Sequence, residues 1–173
     1  GFGRFYANGL FNYASHDIDA VRAILPPVVG APFAAFSGYT ATTWAVDGEV
    51  GMMYRLGRVS MQPSVGLSYT DLSTDGFTET GNAGAYSLVV QGADGQSLKS
   101  TVALRASGQW MMARTPIIPE IRIGWRHEFE DDPLSFTAAF SDPVSPTFTI
   151  VSSEIQQDSA VVRAGFTAGV SRN

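Results

Sequence analysis

Between Val59 and Thr70 the chain changes chemistry at every residue. Val59, Met61, Pro63, Val65, Leu67 and Tyr69 are apolar, while Ser60, Gln62, Ser64, Gly66, Ser68 and Thr70 are small or polar. Successive side chains of a strand point to opposite faces, so this segment makes one wholly apolar face and one wholly polar face. Six stretches alternate in this way, and their apolar faces carry no charge. Two arrangements satisfy such a pattern. A soluble sandwich turns the apolar face inward, whereas an outer-membrane barrel turns it to lipid around a wet lumen.

Composition narrows the choice without making it. Only 16% of the 173 residues are charged, against about 25% in an average soluble domain. A net charge of −5 argues against a nucleic-acid partner. The lack of cysteine removes disulfide frameworks and thiolate zinc sites. The longest apolar stretch, AILPPVVGAPFAAF at 23–36, is broken by Pro26, Pro27 and Pro32, so no membrane helix is encoded. Any membrane crossing has to be made by strands.

Residues 61–108 and 117–169 share a frame. Each has a proline near its start (Pro63, Pro119), then an aromatic residue (Tyr69, Trp125), then Phe-Thr (Phe77, Phe136). Each ends in a β-branched run holding an arginine between apolar neighbours (Arg105, Arg163). Residues 1–56 fit the frame more loosely. We read three wide hairpins with short turns near Gly57 and Thr115 and long tips near 24–35, 80–85 and 141–147. The more polar pieces 72–92 and 130–155 are read as extensions of the strands. The alternating cores run about 10–13 residues, the length a tilted strand needs to cross a bilayer. Short turns on one side and long connections on the other match an outer-membrane barrel, with the turns periplasmic. Pro63 and Pro119 fall near the short turns, where a missing ladder bond costs least.

Alternation assigns the faces. The outward face takes Phe5, Val46, Val50, Val65, Leu104, Ile123, Val162, Phe166 and Val170, with Tyr13, Trp44, Tyr54, Tyr69, Trp110, Trp125 and Phe129 as an interfacial aromatic girdle. The inward face takes Arg4, Asp47, Glu49, Arg55, Lys99, Arg105, Glu120, Arg122, Arg126, Glu128 and Arg163 as lumen-lining residues. Arginine placed at Val65, Leu104 or Ile123 is expected to meet lipid; at Ser64 or Thr101 it is expected to be tolerated.

The ordered series FYANGLFNYASHDIDAVR, GYTATTWAVDGEVGMMYRLG, PSVGLSY, GFTETG, SLKSTVALRAS, WRHEF and FTAAF resembles the β-domain of autotransporters, the type V secretion proteins of Gram-negative bacteria. The resemblance covers nearly all of the chain. It implies an all-β, antiparallel up-and-down transmembrane β-barrel in the bacterial outer membrane, twelve-stranded, of which six strands in three hairpins are present. Residues 1–173 are read as one such domain, incomplete at both ends. The resemblance further implies outer-membrane lipid, the protein's own passenger, a linker helix in the lumen and the barrel assembly machinery as partners. Neither the passenger nor the linker helix is in this chain.

Catalysis is the weaker reading. His16 stands beside Asp17 and near Asp19 at the outer end of the first strand, and a rim hydrolase would place a base there. No nucleophile elbow or HExxH motif accompanies it. Some members of the resembled family cleave their linker with lumenal carboxylates, for which Glu49, Glu120 or Glu128 would be the candidates. His127, between Trp125 and Phe129, suits the girdle. No catalytic residue, metal ligand or cofactor is assigned, and the protein is expected not to be an enzyme. The alternatives are an outer-membrane barrel hydrolase with a rim active site and a soluble β-sandwich binding module.

Overall fold

A computed structural model describes residues 4–25, 32–112, 115–130, 134–153 and 156–169. Residues 26–31 of the first long tip, residues 113–114 and Val170 lie outside these residues. The chain runs through β1 (Arg4–Ile24), β2 (Phe33–Leu56), β3 (Val59–Thr74), β4 (Phe77–Thr78), β5 (Thr80–Gly81) and a 3₁₀ turn (Gly84–Tyr86). It continues through β6 (Leu88–Val90), β7 (Ala93–Gly108), β8 (Trp110–Met112), β9 (Thr115–Glu128), β10 (Ser135–Phe140), β11 (Phe148–Val151) and β12 (Asp158–Ala168).

Every pairing is antiparallel, and the long strands follow one another in the order β1-β2-β3-β7-β9-β12. Among the described residues β1 pairs only with β2, and β12 only with β9. The β2–β3 turn has two residues, with Gly57 at φ +61°. Positive φ at that position belongs to the primed turns whose twist matches the flanking strands.

The two prolines interrupt the ladder in the same way. Between β2 and β3 the pairs Gly51↔Ser64 and Tyr54↔Met61 keep one register, but the intervening pairs around Pro63 are lost. Opposite Pro119, β7 ends at Gly108 and β8 resumes at Trp110 without a shift in register. Both prolines still pair with the following strand, at Pro63↔Leu104 and Pro119↔Phe166. A residue without N–H breaks only the ladder that its nitrogen would have served.

No apolar core lies behind the sheet. The buried apolar residues among those described are six alanines, while Val65, Leu67, Val102, Ile123 and Trp125 are each about half exposed. A sandwich would cover that face with a second sheet, and nothing among the described residues covers it. The opposite face is concave. Arg122 on β9 reaches Glu49 on β2 at 2.9 Å, although β3 and β7 lie between them. Three strand spacings come to about 14 Å on a flat sheet, so the sheet must curl for these side chains to meet. Curling crowds the inner face, and small residues answer it. A Cβ on Gly124 would stand 2.9 Å from the Val102 carbonyl oxygen, and one on Gly51 would run into the Tyr6 ring at 2.5 Å. Ser64 is likewise buried at 8% exposure. It is therefore a poor host for arginine, contrary to the sequence expectation, and Ser68 on the same strand face is the open position.

The pieces 72–92 and 130–155 do not simply prolong the long strands. The ends of β3 and β7 do so as far as Thr74 and Ala93. Beyond them, β4, β6, β10 and β11 form a second sheet in the order β11-β10-β6-β4, which joins the long connections of two hairpins.

Candidate functional site

The inner face carries the charge. Pairing places Arg105 opposite Arg122 and Arg122 opposite Arg163, so three arginines stand in one row across β7, β9 and β12. Like charges directly opposite one another are unfavourable in a sheet. Two of the three are neutralised locally. Glu120 bonds Arg105, and Glu49 accepts from Arg122 Nη2 at 2.9 Å while also accepting the Tyr6 hydroxyl at 2.9 Å. Arg163 forms no ion pair among the described residues, nor does Arg126.

A groove of about 500 Å³ runs along this face, lined among others by Asp47, Glu49, Lys99, Arg122, Arg126 and Arg163. These six sequence-selected residues share one open space, with two acids against four bases. Glu128 touches the groove only through Lys99; it is 2% exposed, takes the Ser97 hydroxyl at 2.9 Å and pairs with Lys99 Nζ at 3.1 Å. Arg4 and Arg55 stand apart near the other end, Arg4 opposite Met53 on the first pair of strands and Arg55 beside the Gly57 turn.

On the outer face the aromatic residues separate into two levels. Tyr13 pairs with Trp44, and the Trp44 and Tyr69 rings lie 5.1 Å apart. Trp125 stacks on His127 with centroids 5.5 Å apart, Phe129 meets the His127 ring edge to face at 4.7 Å, and His127 Nδ1 contacts Asp158 at 2.9 Å. Tyr54 and Trp110 sit at the turn end. Trp44 and Tyr54 are ten positions apart on β2, which at about 3.3 Å per residue and a tilt near 40° spans about 25 Å, the height of a barrel's apolar band.

Beyond the Tyr13 level a cluster that sequence reading missed ties the first hairpin to the second long connection. Glu79, 8% exposed, receives Arg22 Nε at 2.9 Å, a second bond from Arg22 Nη2, and the Leu88 N–H at 2.7 Å. Arg22 Nη2 also donates to the Tyr86 carbonyl. Asn82 and Ala34 exchange two hydrogen bonds, Phe33 stacks on Tyr86 and Tyr39 on Phe77. The only sequence signal for this cluster was an acid inside the GFTETG motif. The Arg22 guanidinium holds the Glu79 carboxyl below its ordinary range, and the pairing raises Arg22 in turn. A depressed carboxylate stabilises the folded state above its unfolded pKa and loses that contribution as pH falls through the lower, folded value. The cap is therefore expected to stay ordered at neutral pH and at the ordinary carboxylate range, and to loosen only under stronger acid. Hydrogen exchange of residues 79–88 against pH checks this; loosening already at pH 6 would contradict it.

The rim dyad does not assemble. His16 and Asp17 are neighbours on β1, so their side chains leave opposite faces, and Asp17 accepts the Thr40 hydroxyl at 3.0 Å. Among the described residues no group of three or more His, Cys, Asp or Glu side chains could hold a metal ion.

No curated protein matches the chain. The family model of the autotransporter beta-domain matches it over residues 1–173. With six long antiparallel strands, a bare apolar outer face and a charged concave face, the chain belongs to the autotransporter β-domain family, the outer-membrane barrels of type V secretion that anchor or translocate a passenger.

Proposed function

We propose that the concave face is the lumen wall against which the passenger segment or its linker moves, and that the Arg105–Arg122–Arg163 row is its electrostatic contact. The observation carrying this reading is the row itself. Three cations stand at one level, two are locally neutralised, and Arg163 is left to face the groove with Arg126. A fixed positive surface of this kind holds acidic side chains or the carbonyl end of a helix. The Tyr6–Glu49–Arg122 bridge stiffens the curl that keeps the groove open. On the outside, Tyr13, Trp44, Tyr69, Trp125 and Phe129 form one interfacial girdle, and Tyr54 and Trp110 the other. The domain acts by holding and passing a chain and not by bond cleavage, a reading supported by the opposed directions of His16 and Asp17. The exposed strand edges of β1 and β12 are the surfaces on which the barrel assembly machinery would act.

The test is double charge reversal, Arg122→Glu with Arg163→Glu, in the full-length protein. Membrane insertion is expected to remain, the ion preference in planar-bilayer recordings to move toward cations, and passenger display to slow. Normal insertion with unchanged ion preference and unchanged display would reduce the row to filler and remove the proposed contact.

A further inference from the structure

We infer that the turn end of the concave face carries a binding site for an unfolded, acid-rich polypeptide segment. The inference rests on the proposed reading of that face as a lumen wall along which a chain moves. A cavity of about 480 Å³ opens at this end, lined by Arg55, Gly57, Arg58, Gln109, Trp110 and Met111. Strand alternation turns Arg55, Gln109 and Met111 inward. The Trp110 ring lies over Gly108 on the outward face, so the inward part of the lining is those three residues, with Arg58 on the turn beside them.

The charge here has one sign. The tight turn at Gly57 presents Arg58, and the Gln109 N–H donates to the Arg58 carbonyl at 3.3 Å, which ties the turn to the start of β8. Arg4 faces inward at the same end, opposite Met53. None of Arg4, Arg55 and Arg58 forms an ion pair among the described residues, and the cavity lining holds no carboxylate. The carboxylate in register with Arg55, through Ser60 and Ser107, is Glu120, and Arg105 holds it. Carboxylates suit the three free guanidinium groups, whose paired N–H donors match two oxygens.

Charge alone would serve any small anion, and two methionines point to a chain instead. The inner face of a barrel is polar, yet Met53 and Met111 both turn inward and are 46% and 66% exposed. Met53 lies two positions before Arg55 on the same strand face, about 7 Å away along β2, and Met111 lines the cavity itself. An unbranched thioether side chain adapts to apolar partners of many shapes. Adaptable methionines beside fixed cations accept acids and apolar residues in varied order, as an unfolded chain presents them. A free phosphate would use the arginines and leave the methionines without a partner.

The experiment follows the fluorescence anisotropy of short labelled peptides on the full-length protein folded in detergent micelles. One peptide alternates glutamate with leucine, one glutamate with serine, and one lysine with leucine. Gel migration before and after heating checks that each variant is folded. Wild type is expected to bind the glutamate–leucine peptide best and the lysine–leucine peptide least. Arg55→Gln/Arg58→Gln should bind the glutamate–leucine peptide roughly tenfold more weakly. Met53→Ser/Met111→Ser should weaken the same peptide roughly tenfold and leave the glutamate–serine peptide unchanged. Equal binding by wild type and the arginine variant, or equal binding of the glutamate and lysine peptides, overturns the site. A methionine variant that binds the glutamate–leucine peptide as wild type does, or complete displacement by millimolar inorganic phosphate, overturns the polypeptide as its occupant and leaves a simple anion site. Passenger display by the Arg122→Glu/Arg163→Glu variant tests the lumen contact separately, so failure of that reading and failure of this site give different results.

Discussion

Arginine at Val65 or Ile123 is expected to cost about 2–4 kcal/mol of folding free energy in a bilayer, the cost of a cation near the midplane of a barrel's outer face. Both residues are about half exposed on the uncovered face, and both lie between the two aromatic levels. Arginine at Ser68 or Thr101, which line the groove on the opposite face, is expected to cost far less, since its head would meet water and Asp47 or Glu49. Folding yield and urea midpoint in lipid vesicles measure the difference on the full-length protein. Equal cost on the two faces would mean that the apolar face does not meet lipid.

Arg22→Leu is expected to release the external cap. It leaves the Glu79 carboxylate, almost fully enclosed, with the Leu88 N–H as its remaining partner. Hydrogen bonds to a charged group contribute about 1.5–3 kcal/mol. The Arg22 side chain is 39% exposed, so solvent screening places the loss near the lower end of that range. A loss of about 2 kcal/mol raises the open fraction of the 79–88 segment roughly thirtyfold, and limited proteolysis reads this directly. Replacing both partners, Arg22→Leu with Glu79→Leu, should recover part of the loss because no orphaned charge remains. Cleavage of the single variant at the wild-type rate would show that the cap is held by Asn82 and the ring stacks instead.

The long strands were legible because period-two alternation is strong over ten or more residues. It identified all six, both faces, the turn at Gly57 and the position of both prolines near the turns. The second sheet was not legible. β4, β6 and β11 are two to four residues long, too short for alternation to register, and the pairing that joins the sheet, β6 with β10, links different hairpins. The arginine row escaped for a related reason. Arg105 and Arg163 were seen as repeats of each other, but only the pairing register brings Arg122 between them. Glu79 was passed over because an acid in a Gly- and Thr-rich connection normally faces water. Its burial depends on Arg22, far away in sequence. Ser64 looked like an open inner position because alternation gives a direction and says nothing about curvature.

The six buried alanines have a consequence for how substitutions in this protein behave. In a globular domain, truncating a core leucine costs the lost transfer free energy and also leaves a void that neighbours fill only in part. Here the large apolar residues have no protein behind which a void could open. Fluid acyl chains flow into the space that a shortened Leu104 or Ile123 vacates, so only the transfer part is paid. The outer face therefore has no jigsaw to preserve. Its side chains are free to differ in size and shape so long as they stay apolar, and sequence restraint concentrates on the concave face, where glycine, serine and alanine make the curl possible.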